Sequence, residues 1–451
     1  MGNTERLAQF LAGSEGVASV DEDTRRVLSD AVVDTVGVSL AAVESEAVER
    51  AAATIDPAEN DRNASRVVGR GNRYAAPEAA WLTGIMAHAL DFDDVHHGMR
   101  GHPTAPVLAT ILPLADGLDL DGESLLSALL LGTEAEIALA EALNPGHYES
   151  GWHPTAILGH VGATAAAGSL HDLDVAEFRH AIGIVASSAG GMKANFGSMT
   201  KPLHVGNAAR NGIVATRLAR EGFTANPNVL DEEFGGFADL FSAGDPSDLE
   251  SAFDRLGTPW SITDPRIAVK PYPCCGSVHS AIDAARSIRD EQDVDPGSID
   301  RIDVVEHPRR LPHTDRPDPE TALEGKFSVQ YCVAVALERG DVTLADFTRE
   351  AIRDPDTRQI ASTVHVHEDA SMPAYGARLE IRTRERTLSH EIDAPRGSSE
   401  NPMSRAEIDA KYERNAARAL PEDRVTASLT RLRSPLDLDD GSTILDDLVP
   451  P

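Results

Sequence analysis

The highest density of side chains able to transfer protons in this 451-residue chain lies between residues 88 and 102. The cluster consists of carboxylates and imidazoles, in the order His88, Asp91, Asp93, Asp94, His96, His97 and His102. Such a cluster is typical of a metal site. It is equally typical of a proton-transfer site, where Asp91 would orient a histidine ring. Because Gly98 and Gly101 interrupt the cluster, a solvated mobile loop is a third interpretation.

At three places a histidine or lysine stands directly before a proline that opens an apolar run, namely His102-Pro103, His153-Pro154 and Lys201-Pro202. An apolar helical run follows each proline, and proline is favoured at the first position of a helix. Helix N-termini attract anions and disfavour cations, unless an anion binds there as well. The three helix starts therefore predict a site for a polyanionic small molecule, although proline is common at helix starts for structural reasons alone.

Lysine is nearly absent from the chain, which has 41 lysines and arginines together. The lysines are Lys193, Lys201, Lys270, Lys326 and Lys411. Codon preference for arginine explains the scarcity without any function. The alternative is that some of these sites need the compact ammonium of lysine, which the planar guanidinium cannot replace.

Other site types have weak support in the sequence. The glycine-rich stretch 190–207 permits close approach of a ligand, but the chain has no phosphate-loop motif. Three cysteines cannot build a disulfide framework, and the adjacent Cys274 and Cys275 lack the spacing of metal ligands. A cysteine nucleophile near His279 stays open as an alternative. The first residues lack the basic start and apolar core of a signal peptide.

Acidic residues outnumber basic ones so strongly that the formal net charge is -32. A chain of this charge repels phosphate, which argues against nucleic acid as a partner and against anionic membranes. Acidic surfaces of this kind are typical of proteins that stay soluble at high salt. We therefore expect a salt-adapted cytoplasmic protein. The sequence also contains no run of apolar residues long enough to predict a membrane-spanning helix.

Helices must position most of these residues. Alanine-rich segments with a period near 3.6 predict helices over 24–42, 74–90, 103–116, 122–143, 154–170, 174–190, 202–221 and 247–256. Beyond residue 262, alternating segments predict strands over 299–305, 363–367 and 377–382, with 387–392 as the return strand of a hairpin. Helices are predicted between these strands, over 276–290 and 327–339, and again after Ser404, which is placed to cap a helix.

These elements predict a mainly α fold class with two parts. A large all-helical domain covers residues 1–262, and residues 398–451 return to it. A smaller α+β domain covers residues 263–397.

The residues discussed so far match one known family. Five blocks in the same order resemble the MmgE/PrpD family over nearly the whole chain. The blocks are His88–Asp94 with His102-Pro103, Gly151–Thr155, Met199–Asn207 with Ala208–Gly212, Lys270–Cys275 with His279, and Phe327–Tyr331.

The resemblance implies a large helical domain with a smaller α+β lid, usually in a homodimer. It also implies an enzyme without cofactor or metal that acts on a small polycarboxylate, as 2-methylcitrate dehydratase, cis-aconitate decarboxylase and iminodisuccinate epimerase do. Transferred residue by residue, the catalytic positions are His102, His153, Lys201 and Asp91. The substrate-binding positions are His204, Lys270, His279 and Tyr331.

Proton transfer next to a carboxylate is the step that these reactions share, and we expect Lys201 to stabilise the negative charge that develops. His102 or His153 then moves the proton. The result is a lyase, by decarboxylation or dehydration, with epimerisation of a dicarboxylate such as iminodisuccinate as the alternative. A metal-dependent hydrolase and a non-catalytic carboxylate binder are the remaining alternatives.

Two details distinguish this chain within the family. Val95 stands where many members have threonine, so one hydroxyl is missing beside the aspartates. The block Met199–His204 resembles the decarboxylase and epimerase branches more than the dehydratase branch.

Overall fold

The computed structural model describes residues 1–58, 64–242, 248–292 and 294–450. The chain is 55% helical and 10% strand, so the fold is mainly α with a smaller α+β region. Its contacts divide it into two compact units. The first unit comprises residues 1–269 and 404–451, and the second comprises residues 270–403.

The first unit is built almost wholly from helices. Its helices are α1 (Asn3–Gly13), α2 (Glu22–Ala41), α3 (Glu46–Ala52), α4 (Ala76–His88), α5 (Thr104–Ala115), α6 (Gly122–Leu143), α7 (Gly146–Glu149), α8 (Pro154–Leu170), α9 (Val175–Ala186), α10 (Thr200–Arg220), α11 (Phe237–Phe241), α12 (Leu249–Asp254), α19 (Arg405–Ala416) and α20 (Glu422–Arg433). These confirm the predicted helices of this half. The predicted segment 247–256 begins outside the described residues.

A short hairpin adds two strands to the first unit, β1 (Ser65–Val67) and β2 (Arg70–Tyr74). Helical periodicity does not reveal it, because its strands are short and β2 is largely exposed. The turn uses Gly69 at φ 70, a backbone conformation that favours glycine.

Local sequence explains where the long helices begin. Asp21 and Asp121 accept hydrogen bonds from the backbone N–H groups of Thr24 and Ser124 and so cap α2 and α6. Helices α4 and α8 are apolar on nearly every face, which requires burial on all sides. They form the centre of the unit, where α4 packs on α5 and α10, and α8 packs on α5, α6 and α10.

Glycine brings α4 and α10 into backbone contact. A Cβ atom added at Gly84 would lie 2.8 Å from the Cα atom of Gly206. The same face is joined by a hydrogen bond of 2.9 Å from the Trp81 indole to the Asn207 side chain. This crossing holds the C-terminal end of α4 beside the N-terminal end of α10, and both ends carry predicted site residues.

The second unit contains a four-stranded sheet and several helices. Its elements are α13 (His279–Gln292), β3 (Ile299–Glu306), α14 (Leu311–Thr314), α15 (Ala322–Gly325), α16 (Val329–Arg339), α17 (Arg349–Ile352), α18 (Pro355–Ala361), β4 (Val364–Glu368), β5 (Ala377–Thr383) and β6 (Thr387–Ile392). The strand order is β4-β3-β5-β6, with β3 and β4 parallel and the other pairs antiparallel. The predicted hairpin is confirmed as β5 and β6.

The last two helices belong to the first unit. Ser404 and Glu407 form a reciprocal capping box at the start of α19, which confirms the predicted cap. Helix α19 packs on α2, and α20 packs on both. Within the described residues, none of the helices combines the length and the apolar character that a membrane span requires.

Candidate active site

The end of α4 leads into a tight turn that carries the acidic cluster. His88 is the last residue of the helix, and Asp91 follows with φ 53. A left-handed backbone is uncommon for residues other than glycine, although aspartate adopts it more readily than most. The turn directs the chain back, so that the buried Asp93 carboxylate lies 2.8 Å from Nδ1 of His88.

One carboxylate lies between two imidazole rings. Asp93 Oδ2 is 2.8 Å from His88 Nδ1 and 3.2 Å from His102 Nδ1. The two rings meet edge to face with centroids 4.5 Å apart. Burial acts to raise the pKa of Asp93, but His102 and His88 outweigh it and hold that pKa well below its usual range. Asp93 is therefore an anion at neutral pH.

The proton of His88 can be assigned from these contacts. Burial, opposed by Asp93, lowers the pKa of His88 to about 4, so the ring is neutral at pH 7. An ionised Asp93 can only accept, and His88 Nδ1 must therefore donate. The lone pair is then on Nε2, which is buried and has no hydrogen-bond partner among the described residues.

A second carboxylate joins the lysine to the same histidine. Lys201 Nζ donates to Asp91 Oδ1 at 2.9 Å, and His102 Nε2 lies 3.6 Å from that oxygen. His102 thus has a carboxylate oxygen close to each ring nitrogen, one from Asp91 and one from Asp93. Its main-chain N–H donates to Thr155 Oγ1 at 3.0 Å, which fixes the backbone beside the start of α8.

Two further histidines complete the cluster. His153 is the N-cap residue of α8, and its Nδ1 lies 3.2 Å from Nδ1 of His204 on α10. Burial, together with His88 and Lys201, lowers the pKa of His153 well below its usual range; burial and Lys201 lower that of His204. Both rings are neutral at pH 7, so one Nδ1 donates and the other accepts. The ring of Phe196 packs edge-on against His153 at 4.9 Å.

The three predicted helix starts differ in detail. The prediction that proline opens the helix is confirmed for α8, which begins at Pro154. The prediction is wrong for Pro202, because α10 already begins at Thr200. Lys201 and Pro202 therefore both lie inside the first turn of this helix. Proline is tolerated there, because first-turn N–H groups have no acceptor within the helix. Helix α5 begins at Thr104, after Pro103.

A metal ion has a possible set of ligands here. Ligand atoms of His88, Asp91 and His102 all lie within 4.8 Å of one another. However, the Lys201 ammonium already neutralises Asp91 at 2.9 Å and would repel a divalent cation bound to the same oxygen. The charges therefore favour an anionic ligand beside Lys201 over a metal.

Two family models match the chain. The model of the MmgE/PrpD N-terminal domain matches residues 5–250, and that of the MmgE/PrpD C-terminal domain matches residues 272–432. The chain belongs to the MmgE/PrpD family. This confirms the resemblance seen in the sequence blocks.

Several characterised MmgE/PrpD proteins are similar over most of their length. Cis-aconitate decarboxylase of Homo sapiens is 28% identical over 427 residues, which cover 92% of this chain and 88% of the human protein. Cis-aconitate decarboxylase of Mus musculus is 28% identical over 400 residues, which cover 85% of this chain and 81% of the mouse protein. The 2-methylcitrate dehydratase of Cupriavidus necator is 24% identical over 388 residues, covering 81% and 77%.

Within this MmgE/PrpD chain, the structure brings five predicted site residues together in the first unit. They are Asp91, His102, His153, Lys201 and His204. The His88 ring connects the two halves of this set, because it stacks on the His153 ring with centroids 5.6 Å apart and also meets the His102 ring. Sequence reasoning did not assign site roles to three of their neighbours, His88, Asp93 and Phe196. His88 and Asp93 stand inside the first family block, so their positions offered a signal, whereas Phe196 offered only its place in a glycine-rich stretch.

The other predicted binding residues lie in the second unit. Lys270 and His279 are buried, and the His279 ring lies edge-on to Tyr272. The Tyr331 hydroxyl donates to the main-chain oxygen of Asp346 at 2.5 Å, inside the core of this unit. The substrate-binding roles of Lys270, His279 and Tyr331 stay predictions.

The cysteine alternative fits the structure poorly at Cys274, whereas Cys275 is partly exposed. Cys274 is fully buried, and burial, with the neighbouring Cys332, raises the pKa of its thiol well above the usual value. A raised pKa removes the thiolate that nucleophilic attack requires.

Asp94 supplies a pH-dependent contribution to stability next to the site. It is fully buried beside Thr104, whose N–H lies 3.4 Å from Oδ1. Burial, opposed by Thr104, raises the pKa of Asp94 to about 8. The unfolded carboxyl ionises near pH 4 and the folded one near pH 8. Between these values the unfolded state binds fewer protons, so stability falls as pH rises.

We expect Asp94→Asn to remove this decline, because an asparagine matches the protonated carboxyl and has no proton to lose. The variant should gain about 4 kcal/mol relative to wild type between pH 5 and pH 8.5, since about three pH units lie below the folded pKa. Urea unfolding at these two pH values measures the difference. Asp119→Asn, at an exposed aspartate, is the control. Parallel pH dependence of wild type and Asp94→Asn would contradict the assignment.

Proposed function

We propose that this protein is a cofactor-independent lyase of a small polycarboxylate, with decarboxylation of a cis-aconitate-type substrate as the first candidate reaction. The observation that carries the proposal is the shared oxygen of Asp91, with the Lys201 ammonium on one side and His102 on the other. This places a fixed positive charge next to a histidine that contacts two carboxylates, which is what proton transfer beside a substrate carboxylate needs.

Lys201 supplies the electrostatic part of the reaction. Its side chain is nearly buried, so water screens the ammonium weakly and its effect on a bound carboxylate is larger than at the surface. Charge that develops on carbon next to that carboxylate is then stabilised by a group already in place.

The neutral histidines suit a polyanionic substrate. His88, His153 and His204 have lowered pKa values in the free protein, so none of them carries charge at neutral pH. A bound polycarboxylate would favour their protonated forms. Substrate binding should therefore draw a proton into the site, where a proton donor is required.

For decarboxylation the bond changes balance simply. His102 or His153 delivers a proton to the alkene carbon. The electrons of the bond to the leaving carboxylate form the new double bond, and carbon dioxide departs. With a β-hydroxyl on the substrate, removal of the proton next to a carboxylate would instead expel water. The same residues can serve both reactions, so their arrangement alone does not choose between them.

Two observations favour decarboxylation. Relatives named cis-aconitate decarboxylase are 26–28% identical, and those named 2-methylcitrate dehydratase are 23–24% identical. The block Met199–His204 also resembles the decarboxylase and epimerase branches. Dehydration of a methylcitrate-type substrate is the second candidate, and epimerisation of a dicarboxylate is the third.

Proton NMR of the purified protein with substrates in D₂O tests the proposal. Cis-aconitate, citrate, 2-methylcitrate and iminodisuccinate are each added, with a metal chelator present and in high salt. Loss of a carboxylate identifies a decarboxylase, loss of water a dehydratase, and deuterium at the α-carbon without net change an epimerase. Line broadening without turnover would identify a binder and overturn the proposal. Activity that disappears with chelator would establish a metal site at Asp91–His102.

We further propose that the protein is a cytoplasmic, salt-adapted homodimer that needs no nucleic-acid or membrane partner. The net charge of -32 motivates the salt adaptation. Size-exclusion chromatography at low and high salt tests the homodimer and the salt adaptation. A monomer would overturn the homodimer, and a protein that is equally folded and soluble at low and high salt would overturn the salt adaptation.

A further inference from the structure

Lys411 is a lysine that the proposed reaction does not use. It lies on α19, near the C-terminal end of the chain, and only 1% of its side chain is exposed. Burying an ammonium is costly unless it is paired and hydrogen-bonded. The chain has five lysines, and the contacts that stabilise this buried ammonium should therefore indicate what Lys411 does.

The contacts of Lys411 converge on the acidic turn of the active site. Its Nζ lies 2.5 Å from Asp34 Oδ1 on α2 and donates to the main-chain oxygen of Phe92 at 2.9 Å. The same ammonium lies 3.8 Å from the centroid of the Phe92 ring, where it gains a cation–π interaction. Phe92 is thus held by Lys411 through both its backbone and its side chain.

Phe92 stands between the two carboxylates that organise the site. Asp91 precedes it with φ 53, a left-handed backbone conformation that is uncommon for residues other than glycine and persists only when neighbours enforce it. Asp93 follows it, with its carboxylate between His88 and His102. An anchor on the Phe92 carbonyl therefore fixes the direction of both aspartates.

We propose that Lys411 is a positioning residue, which together with Asp34 holds the Asp91–Asp93 turn in the conformation that the active site requires. The inference rests on the proposed function, because it assigns a purpose to the geometry of that site. Lys411 contacts the turn through the Phe92 carbonyl and the Phe92 ring, so we expect its effect on the site to pass through Phe92.

A second ion pair between a C-terminal helix and α2 serves as the control for the Lys411–Asp34 pair. Arg433 of α20 forms a largely buried ion pair with Asp30 of α2 and a second ion pair with Asp409 of α19. It therefore also ties the C-terminal segment to α2. Replacing Arg433 with methionine and Asp30 with asparagine removes the largely buried pair, whereas Asp409 keeps access to water, with 29% of its side chain exposed. Neither change replaces Lys411 or Phe92.

The test compares Lys411→Met, Lys411→Met with Asp34→Asn, and the control double variant. The Asp34→Asn change prevents an unpaired buried carboxylate from unfolding the protein. With the polycarboxylate that the NMR assay identifies, we expect kcat to fall about 10–100-fold in both Lys411 variants, with little change in KM. The control double variant should lose stability but keep kcat within about threefold.

A second readout does not depend on turnover. Nitrogen-15 NMR of the imidazoles, with His88→Gln and His102→Gln for assignment, reports the hydrogen bond from His88 to Asp93. We expect these signals to shift in both Lys411 variants and to stay unchanged in the control. Unchanged signals would overturn the positioning role whether or not a substrate is found. If the signals shift but no polycarboxylate turns over, the proposed function fails and the positioning role stands.

Discussion

Asp93→Asn should lower kcat by about 10³–10⁴-fold, because Asp93 is the anion that both His88 and His102 share. Both rings contact the same oxygen, Oδ2. An asparagine places either its oxygen or its amide nitrogen at that position. With the oxygen there it keeps both contacts but lacks the negative charge, and with the nitrogen there it donates to both rings and reverses their proton positions. In either case His102 loses the anion beside Nδ1 that supports proton transfer next to the substrate carboxylate.

Steady-state kinetics from pH 5 to 9 checks this prediction, with circular dichroism to show that the variant folds. Asp94→Asn is the matched control, because it changes the adjacent buried aspartate in the same way. Asp94 bonds to Thr104 and to neither imidazole, so its variant should keep kcat within about threefold at pH 7. A kcat for Asp93→Asn within about tenfold of wild type would remove Asp93 from the catalytic arrangement.

Loss of Asp93 should also change the acid stability of the protein. The pKa of Asp93 is lowered on folding, so its ionised form stabilises the folded state above pH 4, and this contribution is lost as pH falls through the folded pKa. The variant should therefore lose stability at pH 7 and resemble wild type at strongly acidic pH.

The helices could be predicted closely from the sequence, because their signals are local. Segments such as 122–143 carry an aspartate cap, a long apolar repeat and a following Asn-Pro turn, and the structure places α6 at those residues. The strands of the second unit were equally predictable from alternating apolar residues. In β5 this alternation matches buried and partly exposed positions, whereas in β3 the polar Asp303 is buried as well as its apolar neighbours.

Part of the site could be predicted only through the family blocks. Asp91, His102 and Lys201 lie 110 residues apart at most, and no local pattern indicates that they meet. Their contact depends on the glycine crossing of α4 and α10, which brings the two helix ends together. The resemblance of five ordered blocks to one family carried that information, whereas periodicity did not.

The pairing of His88 with Asp93 was beyond sequence reasoning for a physical reason. It requires the left-handed backbone at Asp91. A glycine in the sequence would indicate such a turn, whereas an aspartate does not. The role of Lys411 was hidden for a similar reason. Its partners Phe92 and Asp34 are 319 and 377 residues away in the chain, so only the folded structure brings them together.

Lys201→Met should lower kcat/KM by about 10³-fold or more, mainly through kcat. The ammonium lies 2.9 Å from Asp91 Oδ1, and methionine keeps much of the lysine volume without the charge. If Lys201 only bound the substrate, KM would rise and kcat would stay unchanged. A fall in kcat is expected because charge on the carbon next to the carboxylate grows in the transition state.

Lys193→Met is the matched control for this change. Lys193 lies eight residues earlier and is also partly buried, but its Nζ packs over the Tyr148 ring at 3.3 Å and donates to the Tyr148 carbonyl. Its replacement should leave kcat within about threefold. Equal losses in the two variants would show a general effect of removing positive charge from this region, and would contradict a specific role of Lys201.

A second change separates the two effects of losing Lys201. In Lys201→Met the Asp91 anion loses its partner and repels the incoming carboxylates, so substrate binding weakens in addition to the chemical step. Adding Asp91→Asn removes that repulsion. The double variant should therefore recover part of the increase in KM without recovering kcat, because the ammonium that stabilises the transition state is still absent. Recovery of kcat in the double variant would mean that Lys201 acts only by neutralising Asp91, and the electrostatic role proposed for it would fail.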